Sequence, residues 1–414
     1  MNRLRELEQQ ALEAGREWTR ARLEGDLQAE SDACARVCPK SGDALREGQW
    51  RQMELRTVSG IVRLRVYYGY SVALRAWITP VRLAWGLESH ERLSGELAAR
   101  LIHTVTEVGS YERTAAMCQV WGSPISDGAL HSLVRRLGQR VPDLKLPAES
   151  PKSSEAAFSL VIMMDGWMAR TRGVDWGADP RRKEPERVAW CEIKSAVIYR
   201  LDQRGQSASG RGLLSQKFIV ASPPGTDPVG FGAAVHAEAS RRGMARAHRV
   251  YLVMDGAVWL WDLAADRFSG AVKTLDFHHA REHLQAVADT EHGVGTPEAR
   301  AWLKPMLADL RGGKQARVLR RLEELLDPGR ARAAESQTTI EREVAYFQSH
   351  RDHLQYRDRQ REGSPRGSGA VESLGKQLQA RLRGCGQFWR RPGLANLLSL
   401  CVLVRNRDDH HLWN

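Results

Sequence analysis

The sequence predicts an α/β protein: a mixed sheet with a helical insertion, preceded by an α-rich N-terminal region carrying a β-hairpin. Three observations carry that prediction. Strand-like apolar runs, "FSLVIMMDG", "RVAWCEIKSAVIYRL" and "QKFIVAS", precede a helical "DPVGFGAAVHAEASRRG" and a fourth strand, "HRVYLVMDG". From about His279 to Gln355, almost every segment repeats apolar residues at three- and four-residue spacing. Upstream, "MELRTVSGIVRLRVYYGYS" alternates about Ser59-Gly60, a turn signal between two β-rich runs.

Length and composition set the bounds. The chain has 414 residues, 42% apolar and 27% charged, which suits a globular protein of two or three domains. No apolar run approaches the roughly 18 residues of a membrane span. The opening "MNRLRELEQQALEAGREW" reads as a charged amphipathic helix rather than a secretory signal, so a bacterial cytoplasmic location is expected. Six scattered cysteines point to reduced thiols. Cys34 and Cys38 form a single C-x3-C pair with no second pair nearby, so zinc is not expected there and helical spacing is the simpler reading.

Taken in order, residues 1–90 read as a helix followed by the hairpin region. Residues 91–147 turn helical. There, Ala115, Ala116 and Cys118 lie on a short helix, Gly122 permits a sharp turn, and Ser126 can cap a second helix with an inner face of Leu130, Leu133, Val134 and Leu137. That is a helix-turn-helix candidate with Arg135, Arg136 and Arg140 outward; an ordinary helical hairpin fits the same pattern. Residues 148–157 are Pro- and Ser-rich, a linker. Residues 158–285 hold the strands, 286–360 the helical insertion, and 361–414 a glycine-rich loop and two closing helices.

The chemistry concentrates in acids. "VIMMDG" and "YLVMDG" each end an apolar run in Met-Asp-Gly. The order βββαβ makes the first and fourth strands parallel neighbours, about 4.8 Å apart. Asp165 and Asp255 would then stand side by side, able to share Mg2+ or Mn2+, with Gly166 and Gly256 leaving room for a substrate phosphate. An Asp-Gly that simply ends a strand is the plainer alternative. Glu372, in the first turn after "GSGA", is the candidate third acid. The net charge of +12 is concentrated late: from Arg311 onward there are 20 Lys and Arg against 12 Asp and Glu, which suits a polyphosphate partner.

Together, "VIMMDGW", "YLVMDGAVWLW", "LDFHHAREHL" and "GSGAVES" resemble the DDE transposases of bacterial insertion sequences, most of all the ISKra-type group. The resemblance runs from about Ser159 to the C-terminus. It implies a ribonuclease-H-like core and two-metal, Mg2+-dependent cleavage and strand transfer at terminal inverted repeats of double-stranded DNA, by a homodimer that brings two ends together. Asp165, Asp255 and Glu372 take the catalytic, metal-holding positions. Asp276 and His279 match a D-x-x-H signature beside the active site. Trp259 and Trp261 are candidates to stack on an unpaired base, with the core as the alternative. Arg366, Lys376, Arg381, Arg383, Arg390 and Arg391 would hold the DNA backbone. A DNA-binding relative without catalysis is the rival reading. A remoter one is a zinc peptidase, because His279, Glu282 and His283 spell H-x-x-E-H.

Overall fold

The computed structural model describes residues 2–88, 90–150, 156–177, 186–210, 212–329 and 332–413. They form two compact units, Met1–Leu137 with the last two residues, and Gly138–Leu412. Residues 138–147, which the sequence grouped with the helix-turn-helix, therefore pack with the second unit. Of the expected linker, residues 151–155 lie outside the described residues.

In the first unit, α1 (Arg3–Ala33) is almost wholly exposed, with Ser31 its one buried residue. Cys34 caps its end and Cys38 lies beyond it, so the two cysteines do not share a helical face. Strands β1 (Arg46–Thr57) and β2 (Gly60–Ser71) pair antiparallel, closing at Thr57 opposite Gly60. Gly60 has φ +113°, which the tight turn requires, and the Thr57 hydroxyl donates to its carbonyl at 2.8 Å. Alternation decides the faces: Val62, Leu64 and Val66 are buried while Arg63 and Arg65 are exposed. Short β3 (Ala76–Ile78) joins this sheet and α2 (Pro80–Ala84) follows. Helices α3 (Gly95–Glu107) and α4 (Tyr111–Val120) start at Ser94 and Ser110, whose hydroxyls accept from Leu97 and Arg113 amides. Such a cap contributes about 1 kcal/mol. Gly122 turns at φ +76°, and α5 (Asp127–Arg140) buries Leu130, Leu133, Val134 and Leu137, the face that periodicity picks out.

The second unit is built on β4 (Ser159–Arg172), β5 (Val188–Arg200), the small hairpin β6 (Arg204–Gln206) and β7 (Gly212–Leu214), β8 (Phe218–Ala221), α6 (Pro228–Arg241), β9 (Arg249–Met254), α7 (Val258–Arg267), β10 (Val272–Leu275) and α8 (Phe277–His292). The main sheet has the order β10-β9-β4-β5-β8, with β4 antiparallel to β5, β5 antiparallel to β8, and β9 parallel to both β4 and β10. Three antiparallel strands, a helical crossover and a parallel fourth strand are what the sequence order requires. Leu160 through Met164 are all buried, because both faces of this sheet are covered.

Helices α9 (Pro297–Arg311), α10 (Gln315–Glu323), α11 (Ala334–Ser349) and α12 (Tyr356–Arg361) follow. They share an apolar core with α8, including Leu284, Leu310, Phe347 and Tyr356. The division expected at residue 285 falls inside α8; the helical group begins at Phe277. Helices α13 (Gly369–Leu382) and α14 (Arg391–Arg405) then return to the sheet. Among the described residues, no helix is long and apolar enough to cross a membrane.

Candidate active site

Register sets the site. β4 pairs with β9 from Ser159 opposite Arg249 to Met163 opposite Val253, so two residues further along both chains reach Asp165 and Asp255. β10 continues the pattern: Leu275 pairs with Met254, which brings Asp276 level with Asp255. Three aspartates thus stand at corresponding positions of neighbouring chain segments, one within β4 and the others just past the ends of β9 and β10. One correction concerns β4. The sequence ends this strand at Met-Asp-Gly, but β4 runs on to Arg172, with Asp165 opposite Ser195 and Gly166 opposite Lys194.

The two glycines serve packing. A Cβ on Gly166 would strike the Glu192 carboxylate, and one on Gly256 would strike the Tyr346 ring. The space that the sequence reserves for a substrate phosphate is therefore taken by those side chains.

Asp165, Asp255 and Glu372 are all half-buried. Each has one oxygen engaged: Asp165 Oδ1 accepts from the Gly166 amide at 2.7 Å, Asp255 Oδ1 from Ala257 at 2.8 Å, and Glu372 Oε1 from the Ser368 hydroxyl at 3.0 Å. Burial pushes the Asp165 carboxyl above the usual carboxylate range. The Gly166 amide and His279 pull the other way, and the charges of Asp255 and Glu372 add to the rise. Asp255, Glu372 and His279 therefore all act electrostatically on Asp165. Hard carboxylate oxygens that repel one another suit a divalent cation chemically. In this conformation, however, no group of three or more His, Cys, Asp or Glu side chains among the described residues is gathered closely enough to hold a metal ion.

Asp276 differs from its two neighbours on the rim. It is fully buried, and its Oδ1 accepts from the amides of His278 and His279 at 2.5 and 2.9 Å, capping α8. Its Oδ2 accepts from the Ser368 amide at the start of α13, the helix that carries Glu372. The Phe277 amide donates to the Arg366 carbonyl at 2.9 Å, a second tie between the same segments. Asp276 thus positions the third acid rather than facing solvent beside it. His279 is partly exposed, 3.6 Å from Glu282.

Both tryptophans are engaged. Trp259 packs edge-on to Phe231, with the Lys194 ammonium 5.3 Å from its ring. Trp261 donates to the Asp255 carbonyl at 2.8 Å and stacks on His353, ring centroids 4.3 Å apart. That ring face is closed to an unpaired base. Around it lies a set of residues of which only His283 belongs to a local motif. His283 stacks on Tyr346 at 3.6 Å, Tyr346 stacks on His350 at 4.7 Å, and His283 Nδ1 meets the buried Glu343 carboxylate at 2.5 Å. Burial, followed by the charges of His353 and His283, pushes His350 down to about 4. Burial and the nearby Asp255 raise the Tyr346 phenol. Tyr346 lies ninety residues past Asp255 on a helix whose pattern shows only periodicity. Glu192 and Lys194, bonded to each other at 2.7 Å, did leave a signal as the charged interruption of an apolar strand.

The basic candidates divide. Arg381 is buried, its guanidinium 5.9 Å from the Trp389 ring, and cannot face DNA as expected. Arg136 is paired with Glu91 at 2.7 Å, and Arg140 donates to the Leu412 carbonyl at 3.2 Å. Arg366 is half-buried and bonded to Gln360. Arg135, Lys376, Arg383, Arg390 and Arg391 are exposed. Of the H-x-x-E-H residues, His283 meets the Glu343 carboxylate through Nδ1 and stacks on Tyr346, while His279 lies beside Glu282.

No family model matches the chain, and no curated protein matches it. Among solved structures it is similar to one described as the Drosophila P element transposase strand transfer complex, at 13% identity and a TM-score of 0.35, covering 80% of this chain and 96% of that one.

Proposed function

We propose that residues 138–412 form a ribonuclease-H-like core that cleaves and rejoins DNA, the catalytic part of a DDE transposase of the ISKra-type group. The observation that supports this best is the β4–β9 register, which brings Asp165 level with Asp255 while the Glu372 charge is felt at Asp165. The five-strand order, with two parallel strands added beside the first of three antiparallel ones, agrees with it.

On this reading Asp165 and Asp255 would hold divalent cations, and Glu372 on α13 would complete the set. The cations supply Lewis acidity for an in-line displacement at a phosphodiester. The chain's own residues do the positioning. Asp276 fixes the start of α13 through the Ser368 amide. Trp261 holds the Asp255 backbone, and Tyr346 packs against Gly256 to fix where the second aspartate turns. The exposed Lys376, Arg383, Arg390 and Arg391 neutralise backbone phosphates without reading bases. Strand transfer between two terminal repeats calls for two copies of the chain in the bacterial cytoplasm.

A second reading, a DNA-binding relative without catalysis, draws on one observation: the three acids are not gathered within a metal's reach. Incubation of the full chain with an end-labelled terminal-repeat duplex and Mn2+ separates the two. Cleavage that disappears in Asp165→Asn, Asp255→Asn and Glu372→Gln supports the transposase. Specific binding without cleavage by the unaltered chain supports the second reading, and neither binding nor cleavage contradicts both.

A further inference from the structure

A cavity of about 370 Å3 opens at the start of β8, lined by residues that include Lys217, Phe218, Arg242, Arg405, Arg407 and Asp408. Four cations therefore face one carboxylate. That carboxylate is already used: Asp408 accepts from Arg242 at 2.9 Å and is also bonded by Arg241. Arg242 is further occupied by Glu238 at 2.8 Å and Glu149 at 3.3 Å. Neither Lys217 nor Arg407 has a carboxylate partner among the described residues, and the cavity keeps an excess of positive charge.

The cavity is built from three separate stretches of chain. Asn406 exchanges two hydrogen bonds with Ile219 of β8, at 2.8 and 2.9 Å, which pins the end of α14 to the edge strand. The next residue, Arg407, adopts φ +61° directly after that helix, where glycine is the usual occupant. An arginine held there keeps a guanidinium at the cavity mouth in spite of backbone strain. The α14 dipole accounts for one cation at its C-terminal end, Arg405, but not for Lys217 arriving from the strand side. Burial and the neighbouring Arg405 lower the Lys217 ammonium, as expected for cations gathered before their counter-ion arrives.

We propose that this cavity seats a phosphodiester of a DNA backbone, a contact separate from the acidic rim; this rests on the DNA reading above. Ala221 of β8 is level with Ser195, which is level with Asp165. Lys217 therefore lies roughly 17 Å from that acid, counting strand spacing and rise. A DNA strand reaching both would span at least about five base pairs.

The test is equilibrium binding of a fluorescein-labelled duplex to the full chain in EDTA, where cleavage plays no part, across a salt series. The variant is Lys217→Gln with Arg407→Gly. Glycine is at ease at φ +61°, so the pair should fold as well as the parent, which a melting curve checks. The expected result is a Kd at least fivefold higher and a salt slope smaller by about 1 to 2, as two cation–phosphate contacts are lost. Tight binding with an unchanged slope in the folded variant overturns this inference and leaves the transposase reading standing. Inorganic phosphate that raises the melting temperature of the parent but not the variant, with DNA binding unaltered, assigns the cavity to a free anion and also overturns it. A parent chain that binds no duplex overturns both.

Discussion

The two ends of the five-stranded sheet gather opposite charges by opposite means. At the rim where β9 and β10 end, Asp165, Asp255 and Asp276 are brought level by strand register alone. At the start of β8, Lys217, Arg242, Arg405 and Arg407 come from chain segments nearly two hundred residues apart, drawn together by Asn406 and the packing of α14. Like charges are placed side by side at both ends. On the proposals above, a ligand of opposite sign would neutralise each group, a cation at one end and a phosphate at the other. The rim also shows how identical side chains diverge: Asp276 receives three backbone amides and becomes structural, while among the described residues Asp165 and Asp255 each accept through one oxygen.

Breaking the acidic end should produce the largest effect. Asp255→Asn keeps the shape of the side chain but removes its charge, and cleavage of a terminal-repeat duplex should fall by about 10³-fold or more, since several kcal/mol of charge stabilisation goes with it. DNA affinity in EDTA should change little, which a filter-binding assay checks.

Asp276→Asn sharpens the contrast between aspartates. An amide cannot accept at both ends, so either the His278 and His279 amides or the Ser368 amide loses its acceptor, at a cost of about 1–3 kcal/mol. Thermal unfolding should record the loss, and hydrogen exchange should quicken at Ser368. If Asp276 were instead a metal ligand, stability would hold and only cleavage would fall.

Gly256→Ala tests the packing behind the rim. The new methyl group meets the Tyr346 ring, so the chain should lose about 1–3 kcal/mol. Combining it with Tyr346→Leu should cost less than the sum of the two single changes, a coupling that a double-mutant cycle measures.

A further prediction concerns pH. His350 is held down to about 4 from an ordinary 6.5, so the unfolded chain binds its proton more readily than the folded one does. The stability His350 contributes is complete above pH 6.5 and is lost as pH falls towards 4. Denaturant midpoints across that window should decline less steeply in His350→Gln.

How much of this the sequence showed follows the same division. The adjacency of β4 and β9 was legible because a helical crossover after three antiparallel strands returns the chain beside the first, and the strands announced themselves as unbroken apolar runs. The hairpin at Ser59-Gly60 and the buried face of α5 were legible for the same local reasons. Gly166 misled because Asp-Gly usually ends a strand, whereas here a side chain on the neighbouring strand needs the missing Cβ. Arg381 misled because its place in a basic helix does not say which face packs inward. The cluster of Tyr346, His350 and His353 left no trace, since the helical pattern of that stretch records burial but not what it is buried against. The basic cavity was invisible for a related reason: its charges are scattered along the chain and only the folded α14 unites them.

The central claim is that Asp165, Asp255 and Glu372 together hold a divalent cation. Titration of Mn2+ into the full chain, followed by electron paramagnetic resonance, tests it directly. Saturable binding that disappears in Asp165→Asn and Asp255→Asn, and weakens in Glu372→Gln, is the predicted result. Binding that is the same in all three variants and the parent would contradict it.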